Sequence, residues 1–121
     1  MPKTILVADD NAMIRKILRK IFETEQDYDL CAEAVNGEEA IALAKQCRPD
    51  LIILDFAMPA MNGIDAAREL RRIMPEVPII LFTLHTETIK HLLGLNSPID
   101  LVVAKSDAIN LLQRVRTLIP A

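Results

Sequence analysis

Three carboxylates, one hydroxyl and one ammonium hold most of the chemistry this sequence offers. Asp9 and Asp10 follow the short β-rich run KTILVA at Lys3 to Ala8, and Asp55 ends the aliphatic run Leu51-Ile52-Ile53-Leu54. Thr83 closes Ile79-Ile80-Leu81-Phe82, and Lys105 follows Asp100 to Ala104. Alone, each has an ordinary role: an aspartate at a strand end caps a helix or shapes a turn, and a lysine there is a solvated charge. Together, at the same ends of four strands, they define a site. Carboxylates converging in one cleft raise one another's pKa values unless a cation joins them. An all-oxygen ligand set completed by water suits Mg2+. Such a group is fitted to phosphoryl transfer, where charge gathers on three equatorial oxygens and catalysis is mainly positioning and electrostatics. The metal would neutralise one oxygen, Lys105 would pair with a second and Thr83 would donate a hydrogen bond to the third. Asp55 would attack and end as an acyl phosphate.

The elements that must place these residues follow from periodicity. Four branched aliphatics at 51–54 read as a strand buried on both faces, and Met58-Pro59 then forces a loop. Asn11 starts a helix with Ile14, Ile17, Leu18, Ile21 and Phe22 inward. Tyr28 to Ala34 is a second strand, and Asn36 with Glu39 resembles a capping box for a helix that buries Ala40, Leu43, Ala44 and Cys47. Asn62-Gly63 leads into a third helix with Ile64, Ala67, Leu70 and Ile73 inward. A shorter helix runs from about Thr86 to Leu93, closed by Gly94 and the loop to Pro98. Ser106 or Asp107 caps a last helix bearing Ile109, Leu112, Val115 and Ile119. Strict β–α alternation gives a doubly wound α/β domain with a parallel sheet and helices on both faces. The order 2-1-3-4-5 brings the acids, Thr83 and Lys105 together at a switch point.

Composition sets bounds. The chain has 121 residues, enough for one domain over 1–121 with a full core, and Phe22, Phe56, Phe82 and Tyr28 are its only aromatics. The core must therefore be aliphatic. No apolar run approaches the roughly 18–20 residues a bilayer span needs, and no signal-peptide pattern opens the chain, so no membrane role is expected. A net charge of −3 argues against general nucleic-acid affinity. Cys31 and Cys47 lack metal or redox spacing and read as two buried thiols of a reducing, cytoplasmic compartment.

The pattern Asp9-Asp10, Asp55 with Met58-Pro59 and Gly63, Thr83 and Lys105 resembles the receiver domain of bacterial two-component response regulators, over essentially the whole chain. The resemblance implies a flavodoxin-like sheet of five strands with five helices, and phosphorelay signalling through a phosphoryl group accepted on Asp55. It implies Mg2+ held by Asp10, Asp55 and the backbone carbonyl of Ala57, with Asp9 helping directly or through water. It implies a sensor histidine kinase or phosphotransfer protein as donor, and self-dimerisation as a further partnership. It implies a protein that phosphorylates and dephosphorylates itself rather than a stand-alone enzyme. The last-helix pattern ends at Ile119, and Pro120-Ala121 read as the start of a linker. Either a complete single-domain regulator or the N-terminal piece of a longer one is compatible with this. DNA would be reached only through an output domain, since these residues contain no helix-turn-helix.

Several positions depart from that family's pattern. Val102 stands where an aromatic usually precedes the lysine by three residues, which points either to altered read-out or to the same surface used with smaller motions. Leu84 replaces a small residue after Thr83, so it either restricts access of small phosphodonors or points into neighbouring packing. Ser106 replaces a proline after Lys105, and a cis bond before a non-proline costs about 2.5–4 kcal/mol, so a trans bond is expected. Ala57 offers no side chain to orient a water. His85 would orient one, shield the site or lie in solvent, and a metal site shared with His91 is disfavoured by their spacing.

Two other classes compete. Nucleotide-binding relatives on doubly wound sheets need glycines at the first turn, whereas the glycines are Gly37, Gly63 and Gly94 and the first turn is acidic. A dehalogenase-type phosphohydrolase wants a second acid where Ala57 stands. The stronger rival is a phosphorylation-independent interaction module on the same fold, suggested by Val102 and Leu84 and opposed by five intact site residues.

Overall fold

The structure is a computed structural model that describes residues 1–94 and 96–121, and Leu95, in the loop expected between Gly94 and Pro98, lies outside the described residues. Strands β1 (Lys3–Ala8), β2 (Tyr28–Ala34), β3 (Leu51–Leu54), β4 (Ile79–Thr83) and β5 (Leu101–Ala104) alternate with helices. These are α1 (Ala12–Glu23), α2 (Gly37–Cys47), α3 (Gly63–Ile73), α4 (Thr86–Leu92) and α5 (Leu111–Leu118). All pairings are parallel and the order is β2-β1-β3-β4-β5. This is the flavodoxin-like arrangement expected from the alternation and the resemblance.

The central strand is buried throughout, and its pleat splits the aliphatic run between two layers. Ile52 and Leu54 pack with Ala40 and Ala44 of α2, Ile64, Ala67 and Leu70 of α3, and Ile89 of α4. Leu51 and Ile53 face Leu18 and Phe22 of α1 and Leu111 and Val115 of α5. Each buried Leu or Ile contributes on the order of 1.5–3 kcal/mol, so β3, with its acid at the end, is among the most firmly held segments of the chain.

Three asparagines start the helices around the site. Asn11 Oδ1 accepts from the Met13 and Ile14 amides at 2.8 and 3.3 Å, Asn36 Oδ1 from Glu39 at 2.8 Å and Asn62 Oδ1 from Asp65 at 2.9 Å. Such caps are worth about 1 kcal/mol each. The Glu39 carboxylate returns to the amide of Val35 at 3.1 Å, one residue ahead of the expected partner.

Four expectations are corrected. Neither Ser106 nor Asp107 caps the last helix: Lys105–Asn110 winds as a 3-10 segment broken at Asp107 (φ −107°, ψ 30°), and α5 begins at Leu111. The tighter winding rotates the apolar face, so Ile109 is 90% exposed while Leu111, Val115 and Ile119 keep the inward stripe. Ile17 lies at the edge of the α1 stripe and is 39% exposed. Leu84 is 72% exposed rather than drawn into neighbouring packing. Cys31 and Cys47 are half-buried, and their sulfur atoms are neighbours at 2.7 Å. Among the described residues all peptide bonds are trans, Lys105–Ser106 included.

Candidate functional site

The parallel sheet delivers Asp9, Asp55, Thr83 and Lys105 to one edge because each stands at or just beyond the carboxyl end of β1, β3, β4 or β5. Asp9 and Asp55 are 1% and 5% exposed, while Asp10 is exposed beside them. One carboxylate oxygen from each of the three falls within 4.8 Å of the others. Lys105 Nζ reaches between the two buried acids, 2.7 Å from Asp9 Oδ2 and 3.1 Å from Asp55 Oδ2. The Asn11 amide donates to Asp9 Oδ1 at 2.9 Å, so the residue that caps α1 also fixes the first acid.

Burial pushes the Asp9 carboxyl above its ordinary range, with Lys105 and the Asn11 amide pulling it back and the Asp55 charge adding to the rise. Burial works against the Lys105 ammonium as well, but the close carboxylates of Asp9 and Asp55 outweigh it and raise its pKa, so it stays charged.

Thr83 is fully buried, and its hydroxyl oxygen accepts from the His85 amide at 3.2 Å, which leaves the hydroxyl proton free to be given elsewhere. The His85 ring stands edge-on to Phe56, with centroids 6.2 Å apart. The His85 side chain is otherwise exposed. The loop after β3 closes through the Phe56 carbonyl, which accepts from Met58 at 3.1 Å and from Gly63 at 2.9 Å, and through the Pro59 carbonyl, which accepts from Met61. The Ala57 carbonyl lies outside these bonds. Ala60 in the same loop adopts a left-handed φ of 68°.

The donor set fits a hard dication. Asp55 Oδ1 is buried with no hydrogen-bond partner, and Asp9 Oδ2 meets Lys105 as an ion pair without hydrogen-bond geometry. Buried acceptors left without donors are uncommon and ask for a cation or water. Oxygen-only ligands with an exposed side toward Asp10 match Mg2+ better than a soft metal.

Two contributions to the site, one from Arg15 and one from the close packing at Gly63, go unassigned by the sequence pattern. Arg15 donates to the Asp9 carbonyl at 2.7 Å and lies 3.8 Å from Glu33, tying α1 to the ends of β1 and β2. Its position four residues beyond the Asn11 cap, one turn along the same helix face, was the available signal. Gly63 was read as part of a motif, and the structure shows its purpose: a Cβ there would lie 2.1 Å from the Asp55 carbonyl oxygen.

Acids, a lysine and a threonine gathered at the carboxyl edge of a parallel sheet place the chain among doubly wound α/β domains with a site at the topological switch point. Residues 5–116 match the family described as response regulator receiver domain, and the chain belongs to that family. It is therefore a receiver domain of two-component phosphorelay signalling. It is similar to the chemotaxis protein CheY of Thermotoga maritima, 42% identical over 81 residues, which are 67% of either chain. It also resembles a protein-glutamate methylesterase/protein-glutamine glutaminase of Pyrococcus horikoshii, 42% identical over 83 residues, which are 69% of this chain but 22% of that protein. The chain thus spans about a fifth of that relative's length. Among solved structures, TrrA of Thermotoga maritima in complex with Mg(2+)-BeF superposes with a TM-score of 0.85 at 34% identity, covering 97% of this chain and 99% of that one. The response regulator domain of Thermotoga maritima CheB gives 0.87 at 25% identity, covering 100% and 98%. Among the described residues, no helix is long and apolar enough to cross a membrane.

Proposed function

We propose that the chain accepts a phosphoryl group on Asp55 from a phosphohistidine of a sensor histidine kinase or phosphotransfer protein. A carboxylate oxygen of Asp55 attacks phosphorus, the P–N bond to the donor imidazole breaks and an acyl phosphate forms. The observation that carries this is the setting of Asp55, buried with Oδ1 unpaired, Lys105 on its other oxygen and two further acids within 4.8 Å. Asp9, Asp10, Asp55 and the Ala57 carbonyl would hold Mg2+, which when bound supplies charge neutralisation for the transferring oxygens. Lys105 trades a carboxylate for a phosphoryl oxygen, and the buried Thr83 hydroxyl donates to another. His85 and Ala57 flank the site, and neither Ala57 nor the exposed Leu84 fills it. The cytoplasm, where such kinases present their phosphohistidine, is the place of action.

The decisive measurement is intact mass after incubation with Mg2+ and a small acyl-phosphate donor. The wild type gains one phosphoryl group and Asp55→Asn gains none. No gain in the wild type from either the small donor or a phosphorylated histidine protein would leave a phosphorylation-independent interaction module. The same assay on Leu84→Ala reads the gating role of that side chain, which requires a faster rate in the variant.

A further inference from the structure

The two cysteines are brought together by two independent features of the backbone. In the β1–β2 ladder Ile5 pairs with Leu30 and Leu6 with Ala32, so Cys31 is the extra residue of a β-bulge. Bulges kink a strand and re-aim the side chain they carry. Cys47 is the last residue of α2, where the following Arg48 turns left-handed (φ 46°) and its amide returns to the Ala44 carbonyl at 2.9 Å. The two sulfur atoms, sixteen positions apart in sequence, lie at 2.7 Å, and both thiols are half-buried rather than sealed in the core. A disulfide forms at about 2.05 Å, so closure asks for less than an ångström of movement.

We propose that Cys31 and Cys47 are a dithiol that closes reversibly into an intramolecular disulfide, bracing β2 to the C-terminal end of α2 in response to a low-molecular-weight disulfide. Cys47 sulfur attacks one sulfur of the reagent, the reagent's S–S bond breaks, and its first half leaves as a thiolate. Cys31 sulfur then attacks Cys47 sulfur in the mixed disulfide and expels the second half. The protein loses two electrons and two thiol protons, and the reagent is reduced to two thiols that carry those protons away. Burial and the adjacent Cys47 push the Cys31 thiol up to about 12, so the exchange speeds up as pH rises and the thiolate becomes more populated.

The brace pins one end of a helix whose other end abuts the phosphoacceptor loop. A Cβ on Gly37, at the start of α2, would lie 2.8 Å from the Met61 carbonyl oxygen. Helix and loop are therefore in direct backbone contact.

The test incubates the whole chain with oxidised glutathione, blocks remaining thiols with iodoacetamide under denaturing conditions and reads intact and peptide masses. The expected product has lost two hydrogen atoms, carries no alkyl group, yields one linked Cys31–Cys47 peptide and reverts with dithiothreitol. Its unfolding midpoint rises on the order of 10 °C, from the loop-closure effect of a crosslink of this span. Cys31→Ser is expected to stop at a glutathione adduct on Cys47. Two alkylatable thiols in the wild type, a stable glutathione adduct there, or covalent dimers would each overturn the proposal.

Discussion

Gly63→Ala is the substitution that most directly asks whether the backbone under Asp55 matters. An ideal Cβ at this position meets the Asp55 carbonyl oxygen at 2.1 Å, the Asp55 carbonyl carbon at 2.9 Å and Leu81 Cδ1 at 3.0 Å. Ordinary contact begins at 3.4 Å, so the change demands 1.3 Å of extra separation, the difference between 3.4 and 2.1 Å. The Leu81 methyl can rotate, but the Asp55 carbonyl is backbone, and Asp55 is held to β1 through its amide, 2.9 Å from the Ala8 carbonyl. Gly63 is held in turn by its own amide on the Phe56 carbonyl. Either the loop 55–63 opens or the acid moves. Overpacking of this kind costs about 1–3 kcal/mol, and displacing a reacting group by ~1 Å costs roughly 100-fold in rate. The assay is the initial rate of phosphoryl gain by intact mass, with denaturant unfolding run in parallel. Gly37→Ala is the comparator, since its Cβ presses on Met61 rather than on Asp55. It is expected to lose stability while keeping most of the rate. A Gly63→Ala protein with wild-type rate and wild-type stability would refute the reasoning.

The remaining expectations rest on separate features. Ala60→Gly relieves a left-handed φ of 68° and is expected to raise unfolding free energy by about 1 kcal/mol, read from denaturant curves. Lys105→Met leaves two buried carboxylates facing each other and is expected to lose on the order of 3 kcal/mol in metal-free buffer, partly restored by Mg2+, together with phosphoryl gain. Glu33 is held below the ordinary glutamate range by its two 2.8 Å bonds from Arg19. A depressed folded-state pKa stabilises above the unfolded value, and that contribution fades as pH falls from about 5 through the folded value. Unfolding midpoints of wild type and Arg19→Ala are therefore expected to differ at pH 7 and converge in acid.

How far the sequence could be read depended on whether a feature was local. The run 51–54 announces a strand buried on both faces because four branched aliphatics leave no polar side, and each is buried. The asparagine caps at 11, 36 and 62 were visible because capping spans only three residues. Position at strand ends was enough to gather Asp9, Asp10, Asp55, Thr83 and Lys105, since a parallel sheet aligns those ends by construction. What failed was less local. The break at Asp107 comes from a 3-10 segment that shares its apolar spacing with an α-helix over one turn, so Ile109 looked inward. The meeting of Cys31 and Cys47 depends on a bulge, which shifts register by one residue and leaves no mark in the hydrophobic pattern. Arg15 bonds a backbone carbonyl, a target that side-chain charge patterns do not reveal.

Charge counting explains why Lys105 sits where it does. Three carboxylates and one ammonium leave two uncompensated negative charges in a cleft with two buried acids. Lys105 divides itself between Asp9 and Asp55, which lowers the repulsion without removing it, and burial still lifts the Asp9 carboxyl. A dication would bring the sum to zero and release the ammonium from its double duty. Only then can Lys105 turn toward an incoming phosphoryl oxygen without stranding a buried carboxylate, an arrangement that costs several kcal/mol. In the proposed function, metal and phosphoryl group would thus be coupled through one side chain. Val102, half-buried against the aliphatic layer, has no ring to swing. Under the proposed function, read-out of a phosphorylated Asp55 would start from the partner exchange of Lys105 and from Thr83, whose hydroxyl oxygen accepts from the His85 amide.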